Sequence, residues 1–256
     1  MIVVVPVDPP REGLVLTGLV ESTPLSENEA IQLYEAAVTD VVRTAVDSGG
    51  DLLVNYRDEE TLPDEVADGD SEEAVRALVT DALEETDTDS EAVRFERQVG
   101  SSKSARIGNT VTHLLEREGV DGVGVLEPTA PAVKRSDIDG AAMGLRRHDV
   151  VLGPSSDGRT YLAAFTDPID FEDAYAPFEF ATLANRVDEA GLDLGFAPMV
   201  PTLATPGGLR STIATLEARA VASRLTATAT AVVVDDLEIS VGEDGDLERA
   251  ETDNHF

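Results

Sequence analysis

Cysteine and tryptophan are both missing from this 256-residue chain, and lysine nearly is. Without cysteine there is no disulfide, no thiol nucleophile and no thiolate metal site. Aromatic residues make up 4%, so the core must be built from Val, Leu, Ile and Ala. The only lysines are Lys103 and Lys134, and 19 Lys+Arg face 51 Asp+Glu, for a formal net charge of −32. No basic stripe is available to neutralise phosphates, which argues against a nucleic-acid partner. No apolar run approaches the ~20 residues of a membrane span. The apolar opening Met1-Ile-Val-Val-Val-Pro6 is too short for a signal peptide. A cytoplasmic protein with no membrane partner is expected.

The acids run through the whole length rather than collecting in one tail. Such a surface suits a halophilic protein, because concentrated salt screens the self-repulsion that would destabilise it in dilute buffer. Three scattered histidines, His113, His148 and His255, do not make a metal site, and no Ser-His-Asp set has a nucleophile-elbow context.

Strand and helix patterns alternate from residue 1 to about 225. Ile2 to Val5 predicts a buried strand, followed by a loop over residues 8–19. Ser26 and Glu29 have capping-box spacing, and the apolar stripe Ile31, Tyr34, Val38, Val41, Val42, Ala45 predicts a helix ending at Gly49-Gly50. Strands are expected over residues 51–56, 92–99, 122–126 and 192–198, and helices from Ser71, across 107–119, from a Ser136 cap, around 180–187 and across 209–225. This alternation implies a three-layer α/β/α sandwich with a mainly parallel sheet. No linker divides residues 1–225. Residues 226–249 form an extension with a hairpin turning at Asp244-Gly245, and residues 250–256 an acidic tail.

The most diagnostic stretch is Asp149-Val-Val-Leu-Gly-Pro-Ser-Ser-Asp-Gly-Arg-Thr-Tyr-Leu162. It reads as two strands separated only by a Gly-Pro corner and a polar turn, unlike an ordinary βα unit. It resembles the D-V-V-L-G-P-x-x-D-G-G-Y-Y-L stretch of glycosyltransferase-A-like nucleotidyltransferases, above all a bacterial and archaeal group labelled glycosyltransferase. The 2-phospholactate and molybdenum-cofactor guanylyltransferases stand behind it. The likeness spans about residues 1–220 and implies a nucleotide-diphospho-sugar transferase-like fold.

Three further loops match that family in position but not in charge. The first resembles K-x-P-x-P-G-R-x-K-T-R-L and here reads Asp8-Pro-Pro-Arg-Glu-Gly-Leu-Val-Leu-Thr-Gly-Leu19. Gly13 and Thr17 fit, but Leu14, Leu16 and Gly18 stand at the basic positions, leaving Arg11 as the base nearby. In the second, resembling G-S-D-x-P-x-L, Thr129 stands at the metal-binding Asp position, with Glu127 two residues earlier. In the last, resembling D-x-D-T-P-E-D-L, the acids have become Thr202 and Ala204.

Ligands in such sheets bind beyond the carboxyl ends of the strands. The residues expected to meet a nucleotide are Arg11, Gly13 and Thr17, with Lys103 and Arg106 from the strand-to-helix loop Gly100-Ser-Ser-Lys-Ser-Ala-Arg106. Glu127 and Asp157 are the candidate catalytic or metal carboxylates. The resemblance implies a transferase-like binder of a nucleotide or nucleotide sugar, using Mg2+ if active, with its catalytic charges largely lost. The alternative is a non-catalytic binding or assembly module that keeps only the fold. A homodimer is compatible with either reading.

Overall fold

The computed structural model describes residues 1–84, 86, 88, 93–224, 226–242 and 244–249. The expected acidic tail lies outside them, as does much of the acidic turn after residue 84.

Seven strands form one sheet: β1 (Ile2–Val7), β2 (Asp51–Tyr56), β3 (Arg94–Arg97), β4 (Val123–Leu126), β5 (Val150–Pro154), β6 (Thr160–Phe165) and β7 (Leu194–Phe196). Their order is β3-β2-β1-β4-β6-β5-β7. Every pairing is parallel except those of β6, which runs antiparallel to both β4 and β5. The diagnostic stretch is therefore a hairpin inserted into a parallel sheet. Val150 pairs with Phe165 and Leu152 with Ala163, and all of β6 is buried. Gly153 is required at the corner, because a Cβ there would lie 2.4 Å from the Tyr161 ring.

The β-branched run of β1 explains the three layers. Val3, Val5 and Val7 face one core, shared with Val38, Val41 and Val42 of α2 (Glu27–Val46), Val75 and Val79 of α3 (Ser71–Leu83), and Ile138 of α5 (Arg135–Gly144). Val4 faces the other, with Ile107 and Val111 of α4 (Lys103–Thr112) and Leu183 and Val187 of α6 (Glu179–Glu189). The capping box forms as expected: Ser26 N donates to Glu29 Oε2 at 2.8 Å and Glu29 N to Ser26 Oγ at 3.4 Å. Glu29 also accepts from Arg249, and these contacts pull its carboxyl down to about 2.

Three local expectations are corrected. The loop over residues 8–19 is not loop throughout, since α1 (Thr17–Ser22) begins inside it. The helix over residues 135–144 is capped two residues earlier than Ser136. Its N-cap is Lys134, whose backbone N–H donates to Asp137 Oδ2 at 2.9 Å. The C-terminal extension holds a helix, α8 (Thr228–Asp236), before the two-stranded hairpin β8 (Ile239–Val241) and β9 (Leu247–Arg249). The buried Asp40 of α2 explains how α8 starts, accepting from Ala229 N at 3.1 Å and Thr230 N at 2.8 Å. A third core, around Leu33, Leu209, Ile213 and Ile239, binds the extension to α2 and α7 (Pro206–Val221).

The first turn of α7 is the tightest approach near the carboxyl ends of the strands. Thr205 caps it, accepting from Gly208 N at 3.0 Å. A Cβ on Gly208 would stand 1.9 Å from the Thr202 carbonyl oxygen. Backbone there cannot step aside without moving the loop, so overpacking is expected to cost about 1–3 kcal/mol. Gly208→Ala is predicted to lower the unfolding midpoint in urea, measured in molar KCl. A midpoint equal to wild type would show that the loop yields freely.

Candidate ligand cleft

A cleft of about 240 Å3 opens beyond the carboxyl ends of β1 and β4. Its wall combines Asp8, Thr17, Tyr34, Gln98, Lys103, Arg106, Glu127, Thr129 and Arg159. The ionised groups are thus three cations and two carboxylates. They come from four different segments, which the sheet brings to one place.

Lys103 is set by the start of α4, where Ser102 caps the helix by accepting from Ala105 N at 3.1 Å. Its Nζ lies 2.5 Å from Glu127 Oε1 and 3.8 Å from Glu179 Oε2. It also stands 5.2 Å from the centre of the Tyr175 ring. The Glu127 side chain is 13% exposed and that of Glu179 only 4%, against 32% for Lys103. Glu179 further accepts from Thr160 N at 2.7 Å. Burial pushes the Glu179 carboxyl above its ordinary range, with the Lys103 ammonium opposing. Burial likewise raises the Tyr175 hydroxyl, which finds no hydrogen-bond partner among the described residues.

Arg106, 9% exposed, belongs to a polar network below the cleft. Its Nε donates to Gln98 Oε1 at 2.7 Å, while Gln98 Nε2 donates to the Asn55 carbonyl at 2.7 Å. Thr110 Oγ1 closes the set by donating to Asn55 Oδ1 at 3.0 Å. Burial lowers the pKa of Arg106, with Asp8 opposing. Asp8 itself is raised by burial, against Arg57 at 3.9 Å. Tyr34 fixes its backbone: Asp8 N donates to Tyr34 Oη at 2.9 Å, and that hydroxyl donates to the Asp8 carbonyl at 3.2 Å. Arg159 differs from the other two cleft cations. Its guanidinium makes no hydrogen bond and no ion pair within 4 Å among the described residues, and it acts on Glu179 only through its field.

Of the residues expected at a site, Thr17, Lys103, Arg106 and Glu127 share this wall, and Arg11, Gly13 and Asp157 do not. Arg11 turns away, donating to the Val66 carbonyl at 2.7 Å and Ser71 Oγ at 2.9 Å, with Glu59 at 3.3 Å. Gly13 makes a left-handed turn, φ 70°. Asp157, itself left-handed at φ 58°, accepts from Thr205 Oγ1 at 2.5 Å beside the start of α7. Three charged residues of the cluster escaped sequence reasoning: Asp8, Arg159 and Glu179. Asp8 was legible as the first residue past a buried strand. Arg159 stands in the diagnostic stretch where the family pattern has a second Gly. Glu179 is one acid among 51 and carries no local signal.

The donor set does not fit a magnesium site. Magnesium takes hard oxygens at about 2 Å, commonly one or two carboxylates with water and phosphate oxygens. The cleft's two carboxylates meet that count, but both already face cations: the Lys103 ammonium lies against Glu127 Oε1 and Arg57 lies 3.9 Å from Asp8. Among the described residues no group of three or more His, Cys, Asp or Glu is placed to hold a metal ion.

The seven-stranded order with its single antiparallel strand, and a cleft at the carboxyl ends, define the nucleotide-diphospho-sugar transferase fold. The chain is similar over that fold to a protein from Desulfovibrio desulfuricans G20 assigned as a nucleotide-diphospho-sugar transferase. The two are 20% identical, with 92% of this chain and 95% of that one covered and a TM-score of 0.71. A CMP:2-keto-3-deoxy-manno-octonic acid synthetase complexed with CTP is 12% identical, with coverage of 85% and 98% and a TM-score of 0.47. The 4-diphosphocytidyl-2C-methyl-D-erythritol synthase of Anaerococcus prevotii DSM 20548 is 11% identical, with the same coverage and a TM-score of 0.45. At that level these two add nothing to the fold assignment. No family model and no curated protein matches the chain. Among the described residues, no helix is long and apolar enough to cross a membrane.

The raised carboxyl of Glu179 gives a signed pH prediction. Its folded pKa lies above the ordinary 4.5, so its contribution to stability is full below that value and is lost as pH rises through the folded pKa. Glu179→Gln keeps an acceptor for Thr160 N and removes the titration. The melting temperature of wild type minus that of Glu179→Gln is predicted to fall from pH 4 to pH 8. A difference that grows with pH would mean that attraction to Lys103 outweighs burial.

Proposed function

We propose that the cleft binds a nucleotide or nucleotide sugar, with the phosphates against Arg159 and the first turn of α4. Arg159 carries the reading. It is a guanidinium on the cleft wall with no hydrogen bond or ion pair among the described residues, in a chain where acids outnumber bases by 51 to 19. Arg117, Arg146, Arg147 and Arg224 also lack a side-chain partner among the described residues, but Arg159 alone of these five lines the cleft, and its planar fork suits phosphate oxygens. Helix α4 adds backbone N–H groups and the favourable end of its dipole. The fold similarity supports the same ligand class.

The reading is of binding with catalytic charge largely lost. Arg11 and Asp157, which the family resemblance would place at the ligand, are engaged in structural contacts instead. The same observation favours a second reading, a module that keeps the fold for assembly with a partner or a second copy. A ligand at a hundredfold excess over its Kd adds about 2.7 kcal/mol of stability, or several degrees in a chain of this size.

GTP, CTP, UTP and a UDP-sugar, tested by thermal denaturation in molar KCl, are expected to include at least one that raises the melting temperature. Arg159→Ala is expected to lose most of that rise while melting near wild type without ligand. A flat panel would favour the assembly reading.

A further inference from the structure

The mismatch between the cleft and a divalent cation points further. We infer that Lys103 is a built-in counter-ion standing where a metal would otherwise be held, so that the cleft accepts its anionic ligand without one. For the ligand class this rests on the nucleotide reading above. For the metal it stands on the geometry of the cluster alone.

The ammonium has three neighbours on different sides. Glu127 Oε1 lies 2.5 Å from Nζ, Glu179 Oε2 lies 3.8 Å away on another side, and the Tyr175 ring offers its face at 5.2 Å. The helix cap at Ser102 fixes the backbone from which the side chain extends. Glu127 Oε1 is buried against the ammonium, so a divalent ion about 2 Å from that oxygen would overlap Nζ. Displacing Lys103 would remove the ammonium 3.8 Å from the Glu179 carboxyl, which is 4% exposed. Asp8, the remaining carboxylate on the wall, faces Arg57 at 3.9 Å and the field of Arg106, which further disfavours an added cation.

The same geometry says what the lysine does for a ligand. One ammonium against two carboxylates leaves a net negative centre. Arg106 and Arg159 on the surrounding wall bring the cluster close to balance. A phosphate entering beside Arg159 therefore meets cations already in place. Lys103 is a positioning residue here: it neutralises the floor so that the arginines can act on the ligand.

Two measurements test this, and only one needs a nucleotide. Mn2+ is titrated against the full chain without nucleotide in molar KCl, with free ion followed by electron paramagnetic resonance, for wild type and Glu127→Gln. Equal Mn2+ uptake by both supports the inference. One additional site in wild type that Glu127→Gln lacks overturns it, whether or not nucleotides bind. The second arm measures the affinity of whichever nucleotide binds, with excess EDTA and with Mg2+. Affinities agreeing within threefold support the inference, and a tenfold or larger gain with Mg2+ overturns it. If no nucleotide binds, the nucleotide reading fails while the Mn2+ arm still decides the metal question.

Discussion

The ammonium of Lys103, close to Glu127 and Glu179, is the constraint on which the cleft depends. It ties together three elements distant in sequence: the end of β4, the first turn of α4 and the first turn of α6. Placing ionised groups out of water is costly, and the cost is offset only where geometry is good and the remaining lone pairs are satisfied. Glu179 meets that condition through Thr160 N, the first residue of β6. The antiparallel strand therefore supplies a hydrogen bond to the charge cluster as well as two walls of the core. A change in the register of β6 would disturb both together.

Salt separates this cluster from the other charges of the molecule. Pairs such as Arg76–Glu72 and Arg135–Asp139 lie on exposed helix faces. They contribute tenths of a kcal/mol in dilute buffer and less as the Debye length shrinks toward ~3 Å at 1 M salt. The Lys103 cluster is largely shielded from that screening by its burial. Concentrated salt would screen the self-repulsion of a chain with 51 acids and act less on the interior pairing. Under such conditions the cations of the cleft stay effective at short range, while long-range repulsion of an anionic ligand by the acidic surface is suppressed.

Much of the architecture was legible because it rests on patterns within one element. The β-branched run of β1, the Ser26–Glu29 cap and the Asp149–Leu162 stretch each announce their structure from adjacent residues. The failures have the opposite character. Helix α8 begins after Ala227 in a left-handed conformation and has no side-chain cap of its own. Asp40, nearly two hundred residues earlier, accepts from its first N–H groups, and nothing near residue 228 reports this. Helix α1 is six residues long and likewise follows a left-handed residue, Leu16. In the site, Lys103 and Arg106 were legible as bases in a strand-to-helix loop. Glu179 was not, because its importance lies wholly in what packs around it.

Asp157 shows what the familiar stretch does for the packing of this corner. It occupies a strained left-handed position between β5 and β6. Its carboxylate accepts from Thr205 Oγ1, the residue that also caps α7, and Gly207 has no side chain to crowd it. A carboxylate beside a helix N-terminus is stabilised by the dipole and by the free N–H groups there. Ala204, the residue before that cap, lines the cleft. The corner meets three packing demands: Gly153 leaves room for the Tyr161 ring, Asp157 accepts from the capping Thr205, and Gly207 leaves room for Asp157. A sequence can satisfy all of them while losing every charge that faces a ligand. Likeness in this stretch therefore speaks for the fold, and chemistry must be read from the residues that line the cleft, of which Arg159 is the one this stretch contributes.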